Sequence, residues 1–316
     1  MPDLIPVSEH AGLPAPVLVV GSVAYDTIFT PTDKGERILG GSASFAALAS
    51  SFYAPTRLVG IVGNDFTDDS RDRLARREID LTGLQEDESG PTFFWSGRYH
   101  ENFNDRDTLE TELNVFEKFR PDLPEMYQDT PYILLANIGP DLQHHVLDQT
   151  EGKDRYVVAD TMNLWINIMK DELLRLLPRL NLLVLNDDEA EMLTGTNNLF
   201  TAGPKLQEMG PETVIIKKGS HGAILFHQDG LFSLPAFPVS QVSDPTGAGD
   251  SFVGALTACL ASAGDTGFRS IKQAMLWATV TASYTVEAFG CDSLEAAGNT
   301  GLTDRRQQLL AMISPE

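Results

Sequence analysis

Cysteine is scarce in this chain, since 316 residues contain only two, Cys259 and Cys291. Two cysteines cannot supply the disulfide framework on which small secreted domains rely. Cys259 also falls within an apolar helical run, where a buried free thiol is the ordinary outcome. The cysteine content therefore predicts a reduced, cytoplasmic protein.

Signals for membrane insertion and export are missing as well. No apolar stretch approaches the ~20 residues that a membrane-spanning helix requires. The N-terminus has four prolines but no basic segment followed by an apolar core. Residues 1–15 are therefore predicted to form a loose tail rather than a signal peptide, and no membrane partner is expected.

Positive charge is in short supply, because 23 Lys and Arg residues stand against 45 Asp and Glu residues, for a net charge of −22. Such an excess of acid repels polyanions, so nucleic acid and anionic membrane surfaces are not expected partners. The same field repels an anionic substrate at long range. Any phosphate site must therefore be built from local groups.

Two common phosphate-binding motifs do not occur in the sequence. Gly-x-x-x-x-Gly-Lys-Ser/Thr is absent, which argues against a P-loop. No Gly-x-Gly-x-x-Gly follows the first apolar run, which disfavours a dinucleotide-dependent oxidoreductase.

What the chain does contain is an alternation of short apolar, β-branched runs with helical patterns. The predicted buried strands are at 17–23, 57–62, 132–136, 156–159, 182–185 and 213–216, and a hairpin is predicted over 223–234. Helices separate most of these strands, which predicts a mostly parallel sheet covered on both faces, a three-layer α/β/α fold in one domain. Ligands bind at the carboxyl ends of the strands in such sheets.

The string Asp-Pro-Thr-Gly-Ala-Gly-Asp-Ser-Phe over residues 244–252 carries the clearest chemistry. It runs into an apolar helical pattern, so the N–H groups of Gly247, Ala248 and Gly249 and the positive end of the helix dipole form an anion site. Asp250 would repel a phosphate there unless it accepts a proton from an attacking hydroxyl. Asp250 is therefore the predicted general base.

The same string resembles the C-terminal signature of the ribokinase-like (PfkB) carbohydrate kinases. The resemblance implies one kinase domain over residues 1–316 that uses ATP and Mg²⁺ to phosphorylate a hydroxyl of a sugar or a nucleoside. It also implies that Thr246 lies beside the nucleotide. A non-catalytic nucleotide or sugar sensor of the same fold is the alternative, disfavoured because sensing does not require Asp250.

Two aromatic, β-prone segments fall outside the layered pattern, at about 25–39 and 92–103. They fit either hairpin decoration or a lid that excludes water from the site. The family resemblance favours a small β-strand lid, and it allows a homodimer formed through that lid.

The predicted substrate side begins with Gly40 and Gly41, which precede a small-residue helix and resemble the family's N-terminal signature. Asp26 is predicted to accept hydroxyl hydrogen bonds, and Asn137, just after a strand, to contact the substrate. Phe45 stands where the family pattern has Asn. It predicts either an aromatic face toward a nucleoside, with ribose a poor acceptor, or a ring that turns into the core.

The predicted nucleotide side follows later strands. Asn186 and Glu189 resemble the family's Asn-x-x-Glu motif, in which the acid acts on Mg²⁺ through water, and they also have capping-box spacing. Asp160 to Asn163 resembles the family's Asp-x-Asn region. The nucleotide loop is predicted to use Lys217, Gly219, Ser220 and Gly222. Asp244, with carbonyls from 288–293, fits a monovalent-cation site such as one for K⁺.

A polar segment follows the second lid segment. It contains Arg98, Asn102, Asn104, Arg106 and Asn114. The segment fits either a surface loop or a substrate-selecting loop, and of its members Arg98 is assigned to substrate binding.

Overall fold

The computed structural model describes residues 4–5, 13–103, 105–150 and 155–314. The predicted loose tail at 1–15 therefore lies mostly outside the described residues, as does Asn104. Ile5 is described, and it is buried with its N–H bonded to the carbonyl of Phe52 at 2.8 Å. At this one position the tail is attached to the core.

Strands account for much of the described chain. They are β1 (Val17–Val20), β2 (Ala24–Phe29), β3 (Lys34–Gly40), β4 (Thr56–Gly63), β5 (Asp80–Asp87), β6 (Phe93–Tyr99), β7 (Arg106–Glu112), β8 (Tyr132–Leu135), β9 (Tyr156–Asp160), β10 (Leu182–Asn186), β11 (Thr213–Lys217), β12 (Ala223–His227) and β13 (Gly230–Leu234).

Helices alternate with these strands. They are α1 (Ser42–Ser50), α2 (Asp68–Ala75), α3 (Pro140–Gln149), α4 (Asn163–Ile168), α5 (Lys170–Leu176), α6 (Asp187–Thr194), α7 (Leu199–Glu208), α8 (Ala248–Ala263), α9 (Phe268–Thr285) and α10 (Asp292–Ile313), the last of which is kinked at Gly298.

The large sheet has nine strands in the order β13-β12-β11-β10-β9-β8-β1-β4-β5. All neighbours from β5 to β11 are parallel, while β12 and β13 add an antiparallel hairpin. The predicted parallel sheet, the six buried strands and the hairpin are confirmed. The edge strand β5 is an addition, because its sequence lacks the continuous apolar run of a strand buried on both faces.

Two apolar layers cover the sheet. Val17 and Val19 of β1 point into a core shared with α1, α8, α9 and α10. Leu18 and Val20 point the other way, into a core shared with α3 to α7. This alternation is the period-two pattern of a strand buried on both faces, and it confirms the three-layer α/β/α architecture.

Helices α1 and α8 pack backbone to backbone at Gly254. A Cβ at Gly254 would lie 2.2 Å from the carbonyl oxygen of Ala46, so a larger residue cannot be accommodated without moving a helix. Both helices begin at the carboxyl end of the sheet. The close contact therefore fixes the position of two helix N-termini relative to each other.

A second sheet of four strands, in the order β3-β2-β6-β7, lies outside the large one. Both segments predicted as lid strands are strands of this sheet. The fourth strand, β7, forms from the polar segment after them, and each of its residues is exposed. A charged sequence exposed along its whole length has no apolar alternation by which β7 could be recognised.

Both cysteines are buried and free, as expected for Cys259 from its apolar run. Among the helices in the described part of the chain, none combines the length and apolarity that crossing a membrane requires.

Candidate active site

The polar residues predicted for the site follow neighbouring parallel strands. Asn137 follows β8, Asp160 ends β9, Asn186 ends β10 and Lys217 ends β11. Because these strands are parallel neighbours, their carboxyl ends meet at one edge of the sheet. The N-termini of α1 and α8 lie at the same edge.

The N-terminus of α8 has the geometry expected of an anion site. Gly247 is the N-cap in the left-handed conformation, with φ 77°, and no side chain caps the helix. Ala248 donates its N–H to the carbonyl of Pro245 at 3.3 Å, so this predicted anion donor is partly engaged. Gly249 and Asp250 occupy the first turn, where helix N–H groups have no intrahelical acceptor.

Lys217 lies beside this helix end. Its Nζ is 3.0 Å from Asp160 Oδ2, and a Cβ at Gly249 would be 3.0 Å from the same Nζ. Burial works to lower the pKa of Lys217, but the carboxylates of Asp160, Glu189 and Asp250 outweigh it and raise the pKa above the ordinary value. The site therefore has a charged ammonium next to the first turn of α8.

Asp250 has the electrostatics of a general base. Burial, followed by the negative charge of Asp160, raises its pKa to about 6, and Lys217 limits the rise. Asp250 is therefore ionised at neutral pH and more basic than an ordinary Asp. A base with a pKa near the working pH transfers protons efficiently.

Asp26 lies on β2 under the N-terminus of α1 and is 4% exposed. Burial and the charge of Asp244 raise its pKa to about 8, while the N–H of Gly41 works to lower it. A Cβ at Gly40 would be 1.9 Å from Asp26 Oδ2, so only glycine allows this approach. Asp26, Gly40 and Gly41 are thus brought together, as predicted.

Asn137 lies at the same edge, half-buried between Met162 and Trp165. Its Oδ1 accepts a hydrogen bond from Trp165 Nε1 at 2.7 Å, and its Nδ2 meets the thioether of Met162 at 3.0 Å. A thioether is a weak acceptor, so the amide Nδ2 can donate to a hydroxyl.

Asn186 and Glu189 form the predicted capping box. Asn186 Oδ1 accepts from the N–H of Glu189 and Glu189 Oε2 accepts from the N–H of Asn186, both at 2.8 Å. Burial, and then the charge of Asp160, raises the pKa of Glu189 to about 7. The second carboxylate oxygen takes no part in the cap, so the helix-capping role leaves room for a role at a cation.

Asp244 is fully buried, and its two oxygens differ. Oδ1 accepts from the N–H of Thr246 at 2.9 Å, whereas no donor among the described residues meets hydrogen-bond geometry at Oδ2. The N–H of Gly290 lies near enough to the carboxylate to work to lower its pKa. Burial raises the pKa of Asp244 to about 6. A buried carboxylate oxygen without a donor has the chemistry of a cation ligand.

The loop of residues 217–222, which is predicted to border the nucleotide, lies at the rim of the carboxyl edge of the large sheet. Gly219 and Ser220 are exposed, and Gly222 adopts a φ of 83° with no room for a Cβ beside the carbonyl of Leu234. The N–H of Lys218 closes the loop on the carbonyl of Gly222 at 2.7 Å.

Two residues assigned to substrate binding do not present a side chain to the site, and for Phe45 the structure has the second predicted alternative, a ring turned into the core. Phe45 is 1% exposed, so it has no face to offer a substrate; its ring packs under Gly247, where a Cβ would lie 2.3 Å away. Arg98 is exposed, with its guanidinium 5.3 Å from the ring of Phe29. Phe29 of β2 pairs with Arg98 of β6. Because successive residues of a strand point to opposite faces, both side chains lie on the face opposite to Asp26.

Two residues of the small sheet reach the site without having been assigned to it. Tyr99 is buried, and its hydroxyl lies 3.0 Å from that of Thr246. The positive charge of Arg106 is among the influences that lower the pKa values of Asp26, Asp244 and Asp250. The alternation of side chains along β6 could have predicted that Tyr99 and Arg98 lie on opposite faces of the small sheet. The sequence contains no comparable pattern that would predict the position of Arg106.

Metal ligands are sparse by the standard of an all-protein site. Among the described residues, no group of three or more His, Cys, Asp or Glu side chains is arranged to hold a metal ion. Mg²⁺ is commonly bound through one or two carboxylates plus water and substrate phosphates, so this arrangement fits a metal that arrives with a nucleotide.

Known proteins are similar to this chain in both sequence and fold. The chain matches the pfkB family carbohydrate kinase over residues 15–297. A cytidine kinase of Thermococcus kodakarensis is 29% identical over 248 residues, covering 77% of this chain and 87% of that protein. A nucleoside kinase of Methanocaldococcus jannaschii is 24% identical over 294 residues, covering 88% and 92%.

Solved structures agree with the fold. The M. jannaschii nucleoside kinase structure has a TM-score of 0.73 at 21% identity, covering 94% of this chain and 100% of that one. A putative ribokinase II from E. coli, in complex with ATP and Mg²⁺, has a TM-score of 0.77 at 21% identity, covering 94% and 99%. Since the family match spans most of the chain and the architecture agrees, the protein belongs to the pfkB family of carbohydrate kinases.

Proposed function

We propose that the protein transfers the γ-phosphoryl group of ATP to a hydroxyl of a nucleoside, with Asp250 as general base. The observation that carries the proposal is the position of Asp250 in the first turn of α8, beside the ammonium of Lys217. Phosphate repels a carboxylate at an anion site, and proton acceptance is the chemistry that needs one there.

The transfer step uses groups from both the acceptor side and the nucleotide side of the carboxyl edge of the large sheet. The acceptor hydroxyl gives its proton to Asp250 as its oxygen bonds to the γ-phosphorus, and the bond to the bridging oxygen of ADP breaks. Lys217 and the N-terminus of α8 stabilise negative charge on the transferring oxygens. Asp26, with Gly40 and Gly41, and Asn137 orient the acceptor, while Thr246 and the 217–222 loop border the nucleotide.

The nucleoside assignment rests on the relatives. A cytidine kinase and a nucleoside kinase are among the proteins matched over most of this chain. A Burkholderia thailandensis nucleoside kinase in complex with inosine shares the fold with a TM-score of 0.77. A neutral acceptor also suits a chain with a net charge of −22.

Several finer assignments are part of this proposal. The four-stranded sheet acts as a lid, since Tyr99 reaches Thr246 across the site. A homodimer through the lid and a cytoplasmic location stay predictions. The exposed edge strand β7 is where a dimer would form, and light scattering on the purified protein measures that state.

An acceptor panel tests the function directly. With MgATP, we expect release of ADP that depends on a nucleoside, with kcat/KM roughly 2- to 12-fold above that for ribose, because a base adds a ring contact of roughly 0.5–1.5 kcal/mol. Coupled-enzyme assays across cytidine, adenosine, inosine, ribose and inositol measure it. Preference for a free sugar would overturn the nucleoside assignment, and nucleotide binding without any transfer would indicate a sensor.

Asp250→Asn should lower kcat by about 10²–10⁴-fold while nucleotide binding is kept, because the amide cannot take the proton. In the wild type, kcat/KM should rise with pH through about 6, since the pKa of Asp250 is raised to about 6 and only the ionised form is a base. Asp304→Asn, at an exposed position of α10, is the matched control. Near-normal turnover in Asp250→Asn would remove Asp250 from the mechanism.

Glu189 would hold Mg²⁺ through water, and the ion would supply positive charge to the phosphates of the nucleotide. Glu189→Gln keeps an oxygen for the N–H of Asn186 but removes the charge. We expect the Mg²⁺ concentration for half-maximal turnover to rise about 10–100-fold, with the melting temperature little changed. Glu191→Gln, on the exposed side of α6, is the control. An unchanged Mg²⁺ titration would leave only the capping role.

K⁺ is proposed as an activator because Asp244 Oδ2 is buried and no donor among the described residues meets hydrogen-bond geometry at it. Turnover should be several-fold higher in potassium than in sodium chloride at equal ionic strength, and Asp244→Asn should lose this difference because the neutral amide binds cations more weakly. Steady-state rates in the two salts measure the effect. Equal wild-type rates in both salts would contradict a monovalent-cation site.

A further inference from the structure

The register of the small sheet determines which of its arginines faces the site. Tyr99 pairs with Arg106 and Arg98 pairs with Asp107 in the antiparallel ladder between β6 and β7. Directly paired residues share a face, and successive residues alternate between faces. Tyr99 faces the site, since its hydroxyl contacts Thr246, so Arg106 faces the site as well and Arg98 does not.

Arg106 has neutral partners inside the protein, since its side chain is hydrogen-bonded to Tyr99, a contact that works to lower the pKa of that phenol. In the part of the chain that is described, no carboxylate lies within 4.0 Å of its guanidinium. Its ring contact, with Trp95, has a distance of 5.8 Å from guanidinium to centroid. The side chain remains exposed although it lies among acids. An arginine in this position is available to an anionic ligand.

The charges around Arg106 define where such a ligand would lie. Asp26 belongs to the acceptor side, Asp250 to the transfer point and Glu189 to the nucleotide side, and the charge of Arg106 acts on all three. Lys217, at the end of β11, lies beside the first turn of α8. A group placed between Lys217 and Arg106 would be held by a cation from each side.

We propose that Arg106 is a catalytic residue of the lid that binds the γ-phosphoryl group during transfer. This inference rests on the proposed kinase function. The charge on a phosphoryl group in transfer is spread over three equatorial oxygens, and a planar guanidinium can donate to two of them at once. The lid strand β7 therefore adds a second positive charge to that of Lys217 on the large sheet.

Delivery by the lid has a consequence for specificity. With the lid open, ATP has only Lys217 and the α8 N-terminus at its γ-phosphoryl group, among several carboxylates. Closure of the lid would bring Arg106 to the γ-phosphoryl group and exclude water at the same time. Transfer of the phosphoryl group to water is therefore limited when no acceptor is bound. The net reaction is unchanged: the proton goes to Asp250, the acceptor gains the phosphoryl group and ADP leaves.

The kinetic test compares Arg106→Ala, Arg106→Lys and Arg98→Ala. Arg106→Ala should lower kcat by roughly 10²–10³-fold with the acceptor KM changed less than about threefold, and Arg106→Lys should recover part of the loss. Arg98→Ala, one register position away on the opposite face, should stay within about twofold of wild type. Circular dichroism and melting curves check folding, which an exposed edge-strand residue should not disturb.

A binding test separates this inference from the proposed function. Calorimetry with AMP-PCP and with ADP should show that the wild type prefers the γ-phosphate-bearing analogue and that Arg106→Ala loses this preference, whether or not any acceptor is turned over. An unchanged AMP-PCP to ADP ratio, or a raised acceptor KM at normal kcat, would overturn the role of Arg106. A wild type that transfers phosphate to no acceptor would overturn the kinase proposal alone.

Discussion

The site depends on one half-buried ammonium, that of Lys217, held 3.0 Å from Asp160 at the N-terminus of α8. Burial and the negative charge of Asp160 raise the pKa of both Glu189 and Asp250, and the positive charge of Lys217 opposes that rise in each of them. The positive helix end adds to the effect of Lys217. Lys217 and the helix end are thus the positive groups that the proposed nucleotide would meet in a site whose other charges are mostly acidic.

The second constraint is the contact between α1 and α8. Gly254 brings the two helices together at Ala46, and Phe45, one residue earlier on α1, fills the space under Gly247. The ring therefore supports the turn that starts α8, rather than the substrate. Both helix N-termini, one near Asp26 and one near Asp250, are placed by the same interhelical packing.

Polar contacts at both ends connect the four-stranded sheet, the proposed lid, to the large-sheet part of the protein, beside buried apolar residues such as Ile28 and Leu39. Asp65 accepts from the N–H and the hydroxyl of Thr92, each at 2.7 Å, and from Arg37 at 2.6 Å. Tyr99 reaches Thr246 at the far end. Such bonds exchange readily with water, so these polar contacts are compatible with the proposed opening and closing of the small sheet.

The sequence alone determined the features that depend on neighbouring residues. These include the buried parallel strands, the turn before α8 and the Asn186–Glu189 cap, because each follows from local propensity and spacing. Tertiary structure decided the directions of Phe45, Arg98 and Arg106. Helix packing buries the first, and strand register places the other two on opposite faces; both are contacts between segments distant in the chain, on which local pattern carries no information.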